Sequence, residues 1–301
     1  MSNDEFARQV RGSHAALDAI PSVCRATVRS TARGPVSRLN RETPRNEVTV
    51  ITADMALAPG LCAHGAACHD GTESSAASAP ANARAWLLAE HPGPWPEEAT
   101  DAHLPGPLRK VVDRADELGV RVQLIRRPGR RDRPVAPAVF VGWTAGARPW
   151  LRRGDLTGTD SLADELAGLA GGQAPRFGAP APGPLLLVCT HGRRDVCCAR
   201  LGGPLARRLA RAWPAEVWET THVGGHRFAA NLVILPHGLY YGPVAGSAAE
   251  AAIAAYQRGE VLLDRYRGRA GQPQDIQQAD YLAMKASGDR SLSTPGRAQR
   301  A

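Results

Sequence analysis

Apolar positions along the chain fall into two spacings, one of strands and one of helices. "ARAWLLAE" is a continuous apolar run closed by "HPGPWPEEA", whose prolines break regular structure, so it reads as a buried strand. "PLRKVVDRADELGV" places Leu108, Val111, Val112, Ala115 and Leu118 on one helical face, with Gly119 as its stop. "RVQLIRR" and "PAVFVGW" follow as strands, and "DSLADELAGLAGG" as an amphipathic helix ending at a glycine pair. The next block is patterned more sharply. "PLLLVCT" suits a strand buried on both faces, and "ARLGGPLARRLARAW" a helix with a glycine interruption near its start. "AEVWETTH" is a second strand, and "NLVILPHGLYYGPV" a hairpin turning at Pro236, His237 and Gly238. Ser247 and Glu250 form a capping box ahead of the helix "AAEAAIAAYQRGEVLLDRY".

This order sets the expected architecture. Strand, helix, strand, hairpin and helix in the second block predict an α/β fold, a thioredoxin-like domain over residues 184–270. The first block, 55–170, reads as a degenerate copy of the same unit. "GGQAPRFGAPAPGP" supplies a Pro/Gly-rich linker at 171–183. Residues 1–54 are expected as a weakly ordered extension, since they are polar and lack apolar periodicity. Residues 271–301 are expected as a tail with a short helix near Ile276 to Ala286.

Composition changes the picture little. The 301 residues are 43% hydrophobic and 22% charged, as in ordinary globular chains. The net charge of +8 comes almost wholly from arginine, with lysine only at Lys110 and Lys285. These arginines are neither blocked together nor interleaved with aromatic residues, which are 5% of the chain, so nucleic-acid binding is not expected. No window reaches the ~18–20 apolar residues of a membrane span, and the N-terminus lacks the apolar core of an export signal. The expectation is a cytoplasmic protein that does not engage membranes. In that reducing setting the six cysteines, two of them adjacent, point to metal, redox or packing roles rather than disulfides.

Candidate chemistry gathers in two stretches, "CTHGRRDVCC" and "THVGGH". Cys189 ends a strand and Cys198 opens the following helix, a C-x8-C spacing. His222 ends the next strand and His226 follows one tight loop later, as H-x3-H. Parallel strand ends share one edge of an α/β sheet, so the four side chains are expected to converge there. Two thiolates and two imidazoles suit zinc, or a [2Fe–2S] cluster with histidines on one iron. The eight-residue gap between the cysteines is wider than the tight chelate of a zinc knuckle and favours the larger cluster. Buried, unliganded cysteines remain the plain alternative. Arg193, Arg194, Asp195 and Arg227 are candidates for contacts around the site. Cys62, His64, Cys68 and His69 form a second group in "LCAHGAACHDG", for which no second ligand pair is evident.

These motifs carry a resemblance. "CTHGRRDVCCARLGGPLA" with "VWETTHVGGHRFAANLVILPHGLYYG" resembles the sucrase/ferredoxin-like family of thioredoxin-like [2Fe–2S] ferredoxins, and "WLLAEHPGPW" resembles the first half of the same family. The resemblance runs from about Met55 to Arg269. By position it implies cluster ligands Cys189, Cys198, His222 and His226, with Cys197 as an alternative second cysteine. It also implies a thioredoxin-like ferredoxin domain, a one-electron relay to a redox partner protein, and a potential above that of an all-cysteine cluster. Histidine ligands with a free ring nitrogen would make that potential pH-dependent.

Other functions are weighed against this reading. A zinc-stabilised interaction module uses the same ligands. A thiol–disulfide oxidoreductase lacks the usual C-x-x-C at the helix start, and adjacent Cys197 and Cys198 rarely cycle as a dithiol. Sucrase activity is not supported, because no carboxylate pair stands out. The chain therefore reads as an electron carrier more than a stand-alone enzyme.

Overall fold

The computed structural model describes residues 76–129 and 136–292, which lie within the compact unit Pro59–Ala301. The expected extension 1–54 and the group Cys62, His64, Cys68 and His69 lie outside the described residues. In chain order the elements are β1 (Ala85–Glu90), α1 (Gly106–Glu117), β2 (Arg121–Arg126), β3 (Ala138–Trp143), β4 (Trp150–Asp155) and α2 (Thr159–Ala170). They continue with β5 (Ala179–Pro180), β6 (Leu185–Cys189), α3 (Val196–Ala212), β7 (Val217–Thr220), β8 (Leu232–Leu235) and β9 (Leu239–Tyr241). Last come α4 (Gly246–Gln257), β10 (Tyr266–Arg269) and α5 (Gln274–Ser287).

All the strands join one mixed sheet in the order β10-β9-β8-β6-β7-β2-β1-β3-β4-β5. A repeat is written into that order. β1 pairs parallel with β2 and antiparallel with β3, which pairs antiparallel with β4. β6 pairs parallel with β7 and antiparallel with β8, which pairs antiparallel with β9. The two copies meet where β2 and β7 run antiparallel, at Ile125 opposite Thr220 and Arg126 opposite Glu219.

Burial follows the strand alternation. Leu87, Ala89 and Leu124 face α1 and α2, in a cluster with Val111, Val112, Leu162 and Leu166. Leu186, Val188 and Val217 face α3 and α4, with Leu205, Leu209, Ala252 and Ile253. The opposite sheet face of both copies contributes to a single shared cluster: Trp86, Leu88 and Phe140 from the first, Leu187, Cys189, Trp218 and Val233 from the second. Phe140 of β3 meets Trp218 of β7 edge-on at 5.7 Å, so the sheet curls until its helix-free faces touch. Burial on both faces is why β1, β3, β6 and β8 read as unbroken apolar runs. Each fully buried large side chain contributes about 1.5–3 kcal/mol.

Several local expectations change. β4 escapes apolar patterning because only Leu151 of its residues is buried. The segment 171–183 is packed: Phe177 is buried, its ring lying so close beneath Gly154 that a Cβ there would sit 2.5 Å away, and β5 pairs with β4. The capping box at Ser247 is overturned. The helix starts two residues earlier, its N-cap is Ala245 without a side-chain bond, and Glu250 accepts from Arg208 at 2.8 Å instead. That helix also stops at Gln257, ahead of Gly259 with φ +78, so "EVLLDRY" lies outside it. In the C-terminal segment, α5 spans the expected short helix and runs slightly longer.

Candidate functional site

Cys189 is the last residue of β6, paired in register with Thr220 of β7. The chain then crosses Thr190–Arg194 and is turned into α3 by Asp195. Its carboxylate accepts the Cys197 backbone N–H at 2.8 Å, satisfying one of the unpaired donors of the first turn. Cys198 consequently sits in the first turn of α3, where the helix dipole favours negative charge on sulfur. Helix and strand touch at Gly202, where a Cβ would lie 1.9 Å from the Cys189 carbonyl oxygen. The glycine interruption in the helix is therefore a packing device.

His222 follows β7. Gly224 and Gly225, with φ of +92 and +72, then turn the chain back so that His226 begins a short 3-10 turn, His226–Phe228. Backbone carbonyls through this loop are held by side chains from other elements. Gln123 and Arg121 of β2 donate to the His222 carbonyl, each at 3.3 Å. The Tyr240 hydroxyl donates to Val223 at 3.2 Å, Arg267 to Gly224 at 3.2 Å, and the Asn231 amide to Gly225 at 3.0 Å. Four successive carbonyls are thus fixed from four directions.

The ligand atoms of Cys189, Cys198 and His222 lie within 4.8 Å of one another. The Cys198 sulfur is 3.8 Å from His222 Nδ1. Both cysteines are fully buried and His222 half-buried. His226 is exposed and stands outside this trio, its ring centroid 6.3 Å from that of His222. Cys197 also stays outside it. Its thiol is pushed up by burial first and by Asp195 second.

The two central sulfurs behave as one acid–base pair. Cys189 is held well below the usual thiol range, chiefly by the hydrogen bond it accepts from Cys198 and further by His222. Cys198 is pushed up for the complementary reason, as the donor of that bond, with burial adding to it. The pair therefore favours negative charge on Cys189 and the proton on Cys198. Two sulfurs and an imidazole nitrogen in this space form a soft, borderline donor set that suits zinc or iron.

Other residues position the site without belonging to the trio. His191 accepts the His222 backbone N–H at Nδ1, 3.1 Å away. Its Nε2 must then carry the proton, and it donates to the Pro96 carbonyl at 2.7 Å. Burial lowers the pKa of His191 and so favours this neutral form. One imidazole thus ties the histidine loop to the first structural repeat. A cavity of about 400 Å³ opens beside His191 and His222, bordered by Arg121, Gln123, Glu97 and Glu98. Arg194 reaches the same border by ion pairs to Glu97 and Glu98. Arg193 is exposed, and Arg227 lies over the Phe228 ring at 4.7 Å.

Sequence reasoning singled out none of His191, Gln123, Asn231, Tyr240 or Arg267. His191 lay in plain view, two residues after Cys189. The others come from distant strands whose spacing carries no signal of the site.

The described residues contain no helix long and apolar enough to cross a membrane. Curated relatives share about a third of their length with this chain. "Altered inheritance of mitochondria protein 32" of Meyerozyma guilliermondii is 33% identical over 95 residues, 28% of this chain and 34% of that protein. The protein of the same name from Debaryomyces hansenii is 30% identical over 99 residues, 28% and 35% of the two chains. No solved structure matches. A protein family described as sucrase/ferredoxin-like matches residues 76–268, both structural repeats and the whole Cys/His site, and the chain belongs to that family.

Proposed function

We propose that this protein is an electron-transfer protein carrying a [2Fe–2S] cluster, with Cys189 and Cys198 as ligands to one iron and His222 and His226 to the other. The observation that carries this reading is the convergence of Cys189, Cys198 and His222 within 4.8 Å, with His226 one loop away at the surface. The family's ferredoxin-like description supports it. So does the strand-helix-strand-hairpin order of each half, which we read as a tandem of thioredoxin-like units. When bound, the cluster would supply a one-electron redox couple.

The protein's own residues prepare the site. Cys189 already favours the thiolate, and the first turn of α3 favours a second one at Cys198 once its proton leaves. His191 and the five side chains that donate to the loop carbonyls hold the histidine loop before any ligand arrives, which lowers the ordering cost of binding. The shared core seals the cysteine side from water, while exposed His226 leaves an exit toward a redox partner protein.

A second reading has its own observation. The trio is compact enough to close on a single ion, and one zinc with a fourth ligand would make a structural module. Purification without oxygen, followed by metal and sulfide analysis, separates the two. Red-brown protein with iron and acid-labile sulfide, paramagnetic after one-electron reduction, is the expected result. Colourless protein with one bound zinc would establish the second reading instead. Colourless, metal-free protein would overturn both and leave the thiol pair Cys189–Cys198 as the functional group.

A further inference from the structure

Arg267 of β10 is 1% exposed, among the most buried large side chains of the protein. Its guanidinium donates to the Gly224 carbonyl at 3.2 Å, to Asn231 Oδ1 at 2.6 Å, and to the carbonyl and hydroxyl oxygens of Ser78 at 2.8 and 3.1 Å. It also lies against the ring faces of Phe228 and Tyr240, at 4.6 and 5.5 Å. All of these partners are neutral. Among the described residues no aspartate or glutamate pairs with it.

A buried guanidinium without an anion is costly, and such charges are normally paired. Burial pulls its pKa down to about 10, which leaves it a cation at neutral pH. The backbone is shaped around this cation as well. Gly225 leaves room that any other residue would fill, because a Cβ there would stand 2.3 Å from Arg267 Nη2.

We propose that Arg267 is a fixed buried cation of the Cys/His site, a positioning residue that clamps the histidine loop through Gly224, between His222 and His226, and favours negative charge on the group held there. The inference rests on the cluster reading above. Two thiolates balance the charge of an oxidised [2Fe–2S] centre, so one added electron leaves a net negative charge. A cation held in low dielectric nearby favours that reduced state, and Arg267 raises the midpoint potential.

The test is a dithionite titration of the purified, cluster-loaded protein, followed by visible absorbance. Arg267→Gln keeps hydrogen-bonding capacity but removes the charge, and its midpoint is expected to fall. Arg267→Lys restores the charge and is expected to recover part of the loss. Asn231→Asp neutralises Arg267 in place at almost unchanged side-chain volume, and it too is expected to lower the midpoint even if Arg267→Gln fails to fold. Arg208→Gln removes an exposed arginine paired with Glu250 and serves as the charge control. Midpoints of Arg267→Gln and Asn231→Asp that match the control, or lie above it, overturn the inference alone. Wild-type protein that carries no cluster overturns the proposed function and this inference with it.

Discussion

Gly202 and Cys189 touch backbone to backbone: a Cβ on the glycine would sit 1.9 Å from the cysteine carbonyl oxygen. The atom it would strike is main chain in the middle of a sheet, so α3 itself must retreat. Gly202→Ala is expected to cost about 1–3 kcal/mol as an overpacking change. It should also draw Cys198 away from Cys189 and His222 and weaken metal loading. Gly203→Ala is the control, since the only atom its Cβ would approach is the flexible Arg207 Nη1 at 3.5 Å and a helix interior prefers alanine to glycine. Urea unfolding and metal content read both variants. A Gly202→Ala protein as stable and as well loaded as Gly203→Ala would refute the account of the helix–strand contact.

The junction between the two repeats should respond strongly to one carboxylate. Glu219 Oε2 accepts from Arg126 Nε at 2.6 Å, with side-chain exposures of 2% and 15%. Thr190 donates to the same oxygen at 3.3 Å, one residue after Cys189. Arg126 also lies over Trp95 at 3.9 Å and donates to the Pro92 carbonyl. Glu219→Ala would strand this mostly buried guanidinium, and removing one partner of a buried pair costs about 3–5 kcal/mol. The double variant with Arg126→Met is expected to lose less than the sum of the single losses, as denaturant titrations of all four proteins would show.

How much of this was legible in the sequence follows from which forces are local. Helices α1 and α3 and strands β1, β2, β3, β6 and β7 carry their own periodicity, because each buries a face set by residues a few positions apart. Cys189, Cys198 and His222 were found by the same logic, since strand ends and a helix start bring them to one edge. β4 was not visible because, beside the two-residue end strand β5, it buries only Leu151 and its alternation is mostly polar. The capping box failed because Glu250 had a better partner in Arg208, 42 residues away in sequence. The same reason hid Arg267 and Tyr240. Their contacts with the histidine loop span 43 and 17 residues, distances over which no pattern in the chain is diagnostic.

Acid should unfold the protein in part through His237. This imidazole sits half-buried at the β8–β9 turn, with Nδ1 2.8 Å from the Tyr256 hydroxyl. Burial first, and the charge of Arg269 second, lower its pKa from 6.5 to about 3. Between those values the unfolded chain binds a proton that the folded chain refuses. Its contribution to stability is therefore complete above the upper value and is lost as pH falls towards the lower one. The slope from this one group reaches about 1.4 kcal/mol per pH unit. His237→Gln is expected to be less stable near neutral pH but to lose stability less steeply in acid. Urea midpoints of both proteins between pH about 7 and about 4 provide the comparison, and parallel curves would exclude His237 as a source of acid sensitivity.

The neighbouring cysteines of α3 give the sharpest separation of roles. Cys198 sits with Cys189 and His222, whereas Cys197 stands apart, its backbone N–H bonded to Asp195 and its thiol raised by burial. Cys198→Ser exchanges a soft sulfur for a hard oxygen at the centre of the trio, and metal content is expected to fall by at least tenfold. Cys197→Ser keeps the trio and the Asp195 cap, since that bond uses only the backbone. It is expected to load metal like the wild type and to lose about 1 kcal/mol or less of stability. Serine at 197 that empties the site while serine at 198 leaves it loaded would move the second cysteine ligand by one residue. That shift would require the first turn of α3 to rotate by about 100° from the arrangement described above, and the visible spectrum of each purified variant decides it.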